Sequence, residues 1–245
     1  MIGVRRAVAG GLVALVVLLT GLSVVVGLAP AAWGVGLACG VALAGAVAHG
    51  VVRGGGDRLG PADLVTLGRA TIACGVAALA VGSSPRHSTL LVALAALALV
   101  LDAVDGRVAR ATRTQTGFGA RFDGEADAFL ILVLSVHVAQ SHGPEVLAIG
   151  AARYVFGLGG LALPWLRGQL PPRLWRKVVA AVQGVVLVVA AADVLPPGPA
   201  YAALGVAFLL LAESFGRDVL WLERRRRARP TGSPAPTRTE RLRTT

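Results

Sequence analysis

Asp102, Asp105, Asp123 and Asp127 lie within a stretch of 26 residues and make up half of the eight Asp in the chain. Around them the order is D-x-x-D-G-x-x-A-R from Asp102 to Arg110, then eight residues, then G-x-x-x-D-x-x-x-D from Gly119 to Asp127. On a helix, positions three and four apart share a face. Asp102, Asp105, Gly106, Ala109 and Arg110 therefore form one stripe, and Asp123 with Asp127 forms a second. Only a short turn around 112–117 separates the stripes, so two antiparallel neighbouring helices with converging carboxylates are expected. Carboxylates held together repel unless cations neutralise them. Hard oxygen donors of this kind suit magnesium, manganese or calcium rather than zinc. Two such ions about 4 Å apart can clamp a diphosphate and favour attack on one of its phosphoryl groups. Gly106, Ala109 and Gly119 leave room beside the carboxylates for a flat group such as a nucleotide base, and Arg110 is placed to meet phosphate oxygens.

The elements that must position these residues are membrane helices. The 245-residue chain is 55% hydrophobic, 15% charged and has a mean hydropathy of +0.71. A soluble domain needs roughly a quarter of its residues charged, so a polytopic, all-α membrane bundle is expected. Eight apolar runs reach the length of about 20 residues needed to cross the hydrocarbon. They cover about 7–28, 31–52, 63–82, 88–109, 120–141, 145–164, 178–195 and 200–221. Arg5 and Arg6 precede the first run, but its apolar stretch is longer than the roughly 7 to 15 residues of a secretory signal. Thirty-two Gly and thirteen Pro suit close helix packing with occasional helix breaks.

Charge placement supports the count. Arg5, Arg6, Arg53, Arg58, Arg107, Arg110, Arg113, Arg167, Arg173, Arg176, Lys177 and Arg224 to Arg227 fall at alternate ends of successive runs. The remaining connections hold only Arg86. With eight spans every basic cluster lies on one side, which the positive-inside rule makes cytoplasmic, together with both termini and the aspartates. The net charge of +11 is thus an orientation and lipid-headgroup signal, and no nucleic-acid partner is expected. Cys39 and Cys74 sit inside apolar runs, and His49, His87, His137 and His142 are scattered, so neither set reads as a zinc site.

The aspartate pattern resembles the signature of the CDP-alcohol phosphatidyltransferases, and all eight of its specified positions match. The resemblance implies that Asp102, Asp105, Asp123 and Asp127 hold two divalent cations, Mg2+ or Mn2+. It makes Asp127 also the base that deprotonates the acceptor hydroxyl, and sets Gly106, Ala109, Arg110 and Gly119 along the CDP moiety. The implied partners are a CDP-diacylglycerol-like donor and a small hydroxyl or phospho-alcohol acceptor, in an integral membrane enzyme, here expected in the plasma membrane and often homodimeric. A six-span core is implied over about 61–222, with 1–60 as two added helices and 223–245 as a basic disordered tail. The family's core often opens P-N-x-x-T-x-x-R, and Ala62-Asp63-Leu-Val-Thr66-Leu-Gly-Arg69 is similar, with Asp63 in place of Asn. Thr66 and Arg69 are accordingly placed with the nucleotide and phosphate contacts. Lys177 and Gln183 resemble a polar pair of the phosphatidylglycerolphosphate synthases, and Arg153 and Lys177 could face an acceptor phosphate. Gly124 and the Asp127-Ala128 pair match neither the glycerol-phosphate nor the inositol-phosphate pattern, so the acceptor stays open. Two alternatives remain at this stage. An intramembrane prenyltransferase also binds diphosphates through Asp and magnesium, but lacks the Gly106, Ala109, Arg110 and Gly119 elements. A transporter would spread its polar residues along a path, whereas these gather at one depth.

Overall fold

The computed structural model describes residues 2–53, 58–82, 84–112, 117–168 and 174–227. Among the described residues the chain forms eight helices: α1 (Val4–Val26), α2 (Pro30–Arg53), α3 (Pro61–Leu79), α4 (Pro85–Thr112), α5 (Gly117–His142), α6 (Leu147–Ala162), α7 (Leu174–Ala191) and α8 (Pro197–Arg227). A two-residue antiparallel pairing of Ile2–Gly3 with Arg58–Leu59 ties the start of α1 to the approach to α3. The all-α bundle read from the apolar runs is therefore the fold. Seven of the helices are long and apolar enough to cross a membrane, which makes the chain an integral membrane protein. The remaining one, α5, is 26 residues long but dilutes its apolar run with Arg121, Asp123, Glu125 and Asp127.

Proline sets where these helices start. Pro30, Pro61, Pro85 and Pro197 are the first residues of α2, α3, α4 and α8, and Pro144 and Pro164 open the 3-10 turns flanking α6. The ring fixes a helical φ, and the missing N–H would have no partner in a first turn. Proline thus acts here by starting helices rather than by breaking them. Gly27, at φ 69°, closes α1 with its N–H donating to Ser23 O at 2.9 Å, since a left-handed residue can terminate a helix without strain when it lacks a Cβ. At the other end of the chain α8 runs past 222 and through the arginine run to Arg227. Basic residues there complement the negative end of the helix dipole, and Glu223 accepts from Arg227 Nε at 2.9 Å. The tail beyond Arg227 lies outside the described residues.

The bundle is organised around α3. It packs against α1, α2, α4 and α5, and α7 packs against α4 and α5 from the other side. Ala70, Ala73, Cys74, Gly75, Ala77 and Ala78 are all buried on it. Small residues let neighbouring backbones approach closely, which is how membrane helices gain dispersion energy when lipid is as apolar as they are. A Cβ on Gly75 would lie 2.6 Å from Leu18 Cδ2 of α1. The α1–α2 hairpin therefore seats directly on α3. A second apolar cluster, with Ala7, Val47, Val51, Leu67, Ala70, Phe122 and Ala126, joins that hairpin to α3 and α5 at the end carrying Arg5 and Arg6. Within it Phe118 stacks on Phe122 at 5.8 Å and fills the space left by Gly50 of α2.

The α5–α6 contact brings backbone against backbone. A Cβ at Gly150 would lie 2.7 Å from Leu132 Cα and 2.9 Å from Ser135 Cβ, so backbone and not a mobile side-chain end would have to move. Gly150→Ala is expected to lower thermal stability in detergent, by about 1–3 kcal/mol, the usual cost of overpacking. Thermal unfolding of the purified variant against the parent checks this.

Candidate active site

Asp63, Thr66 and Arg69 follow one another at intervals of three near the start of α3, and all three are buried. Their roles differ. Asp63 Oδ2 accepts the backbone N–H of Gly60 at 2.8 Å, so the carboxylate that stands in place of Asn satisfies the open N-terminus of α3. Thr66 Oγ1 donates to Ala62 O at 3.2 Å, which ties it to its own helix. Arg69 reaches out of α3 and is 3% exposed.

Three carboxylates from two other helices converge on that guanidinium. Arg69 Nη1 meets Asp102 Oδ1 of α4 at 2.7 Å and Asp123 Oδ1 of α5 at 2.8 Å, and Nη2 donates to Asp127 Oδ1. Ligand oxygens of Asp102, Asp123 and Asp127 all lie within 4.8 Å of one another. The side chains of these aspartates stay 38%, 41% and 31% exposed, while Arg69 is sealed below them. Guanidinium and carboxylates thus form a cup with a cationic floor and an anionic, open rim. A buried arginine needs anionic partners, and three aspartates supply them at its two Nη atoms. Among these four groups the net charge is −2, so the rim still attracts cations.

The neighbourhood is polar on its other sides as well. A Cβ on Gly124 would lie 3.5 Å from Arg153 Nη2 of α6, and that Arg153 nitrogen meets Glu125 Oε1 at 2.5 Å. Gly184 of α7 lies against Leu99, one turn before Asp102, and its neighbour Gln183 is buried with an Nε2 that has no hydrogen-bond partner among the described residues. That amide has donor capacity to spare. Lys177 is exposed on the first turn of α7. At the same end, Trp175 Nε1 donates to Glu213 Oε2 at 2.7 Å and Arg176 Nη1 lies 3.6 Å from buried Asp218, which braces α7 against α8.

Of the residues singled out from sequence, Asp102, Asp123, Asp127 and Arg69 are brought together. Gly119 lies in the first turn of α5, half-buried. Asp105, Gly106, Ala109 and Arg110 belong to the last turns of α4, but their side chains lie outside the described residues. Arg69 sits among the carboxylates. The signal for that was present: Arg69 is the one basic residue of the apolar run 63–82, and a charge inside such a run needs partners. Glu125, between Asp123 and Asp127, shares no helical face with them by its spacing, and it pairs with Arg153.

Residues 60–214 match the family model described as CDP-alcohol phosphatidyltransferase, well over half of the chain. The chain belongs to the CDP-alcohol phosphatidyltransferase family. The match opens at Gly60, directly before α3, and leaves α1 and α2 outside it. No curated protein and no solved structure matches the chain. Membership in the phosphatidyltransferase family makes the chain a transferase of phospho-alcohol groups from CDP-alcohols to alcohol acceptors, in place of the prenyltransferase and transporter alternatives. Enzymes of this family generally use a divalent metal, and the hard oxygen set of Asp102, Asp123 and Asp127 fits one: the oxygens are close enough to share an ion, and a buried cation already stands among them.

Proposed function

We propose that this protein transfers a phosphatidyl or closely related group from a CDP-diacylglycerol-like donor to a small hydroxyl-bearing acceptor and releases CMP, as a step of phospholipid biosynthesis. The observation that carries the reading is the convergence of Asp102, Asp123 and Asp127 on one cup whose rim stays open. Asp102, Asp105, Asp123 and Asp127 would hold two divalent ions, Mg2+ or Mn2+. When bound, these supply charge neutralisation for the diphosphate and its leaving group.

The chain's own groups do the rest. Asp127 takes the proton of the acceptor hydroxyl; the acceptor oxygen forms a bond to the phosphorus next to the lipid; the bond from that phosphorus to the bridging oxygen breaks, and CMP leaves with the electron pair. Gly106, Ala109, Arg110 and Gly119 border the CDP moiety, and Thr66 supports the turn of α3 that presents Arg69. Arg153, beside Gly124, is the cation best placed to read a phosphate on the acceptor. The basic clusters orient the cup toward the cytoplasm, at the plasma membrane, where a water-soluble acceptor and CMP can exchange. The six helices α3 to α8 carry the chemistry, and the α1–α2 hairpin steadies α3 and, through Gly50 against Phe118, the helix that bears Asp123 and Asp127.

The test is release of CMP from CDP-diacylglycerol by the purified full-length protein with Mg2+ or Mn2+, across acceptor alcohols with and without a phosphate. Acceptor-dependent CMP release is expected. Absence of CMP with every acceptor would overturn the assignment of donor.

A further inference from the structure

Arg69 is the most deeply buried charge near the cup, and its guanidinium meets one carboxylate oxygen from each of Asp102, Asp123 and Asp127. Those oxygens lie within 4.8 Å of one another, the spacing of ligands around a single ion. One cation therefore already holds the place that a divalent ion needs. Without it, three carboxylates from α4 and α5 would face each other in a partly buried site, and like charges so close drive helices apart or force protonation.

We infer that Arg69 is an internal competitor for the divalent ions: it holds the ion-free cup together and yields its carboxylate oxygens when metal binds. This rests on the proposed role of the aspartates as ion ligands. A guanidinium spans several carboxylates at once, with five donors in a fixed plane, which a lysine ammonium does not. Its side chain emerges from α3, the best-packed helix of the bundle, so the charge is tethered below the cup and cannot diffuse away. Metal affinity in the absence of donor is then set by a balance between the ion and Arg69, rather than by the carboxylates alone.

The consequence runs against the usual effect of mutating a buried ion-pair residue. Arg69→Gln removes one positive charge from beside the ligands, so it should tighten Mn2+ binding by roughly tenfold or more, because charges a few ångström apart in a partly buried site interact strongly. Arg69→Lys keeps the charge but cannot bridge three carboxylates, and should tighten binding by only a few-fold. The measurement is Mn2+ titration of detergent-solubilised full-length protein without nucleotide, followed by the electron paramagnetic resonance signal of free ion, with the thermal midpoint of each ion-free variant recorded alongside. Tighter binding with a lower ion-free midpoint supports the competitor role. Unchanged or weaker Mn2+ affinity in a folded Arg69→Gln protein, or in Arg69→Lys if the Gln variant does not fold, overturns it. If neither the parent nor either Arg69 variant binds Mn2+, the ion-ligand reading itself is overturned, and the competitor with it.

Discussion

Excess chelator is expected to reduce CMP release by at least about 10³-fold, with activity restored by Mg2+ or Mn2+. The reason is the charge balance of the cup. Asp102, Asp123 and Asp127 face one guanidinium, so two negative charges remain among these groups before the donor's diphosphate adds its own. Bringing a diphosphate to that rim without cations is repulsive, and divalent ions are worth several kcal/mol of stabilisation at a developing phosphoryl charge. At about 1.36 kcal/mol per tenfold, several kcal/mol corresponds to three decades or more in rate. Chelator-treated protein, assayed for CMP release before and after metal is returned, checks this. Undiminished release in chelator would remove the metal from the mechanism.

The fold was legible in the sequence for a simple physical reason: each span must satisfy its backbone internally and match the bilayer, so helices announce themselves as apolar runs of fixed length. Their starts were legible less well than they could have been. Pro30, Pro61, Pro85 and Pro197 mark four of them, whereas the apolar runs alone placed the starts of α2, α3, α4 and α8 one to three residues late. The extension of α8 to Arg227 was hidden because charged residues read as the end of a span; a helix that has left the hydrocarbon is held by pairs such as Glu223 with Arg227 instead. The fifth helix was legible as a helix by its motif and weakly by its hydropathy, since the same carboxylates that do chemistry dilute its apolar face.

Within the site, the convergence of Asp102 with Asp123 and Asp127 followed from their spacing, but the pairing with Arg69 did not. That pairing depends on which face of α3 turns toward α4 and α5. Most of α3 is small or apolar and buried against four helices, so its short polar stripe of Asp63, Thr66 and Arg69 marks one face but not which helices that face meets. Gly124 posed a similar difficulty. It departs from two acceptor patterns in the sequence, and it also lies against Arg153, a residue 29 positions away whose proximity only the packing of α5 on α6 reveals.

Asp127→Asn should separate proton transfer from ligand binding. The amide keeps the size of the side chain and one oxygen that can face a cation, but it cannot accept the acceptor's proton as a carboxylate does. Loss of a general base typically costs about 10² to 10⁴ in rate, so turnover should fall by that factor while CDP-diacylglycerol affinity stays near the parent value. Asp102→Ala is the contrast. It deletes an oxygen ligand and one of the anions paired with Arg69, which leaves the buried guanidinium with fewer partners and the cup with less charge to hold cations. Donor binding that depends on metal should fall together with turnover in that variant. Measuring CDP-diacylglycerol affinity and CMP release on both proteins distinguishes the two roles, because the affinity moves only where a ligand is lost. Near-parent turnover in Asp127→Asn would take the base role away from Asp127. Equal loss of donor affinity in the two variants would make it a ligand first, with the acceptor's proton leaving by another route.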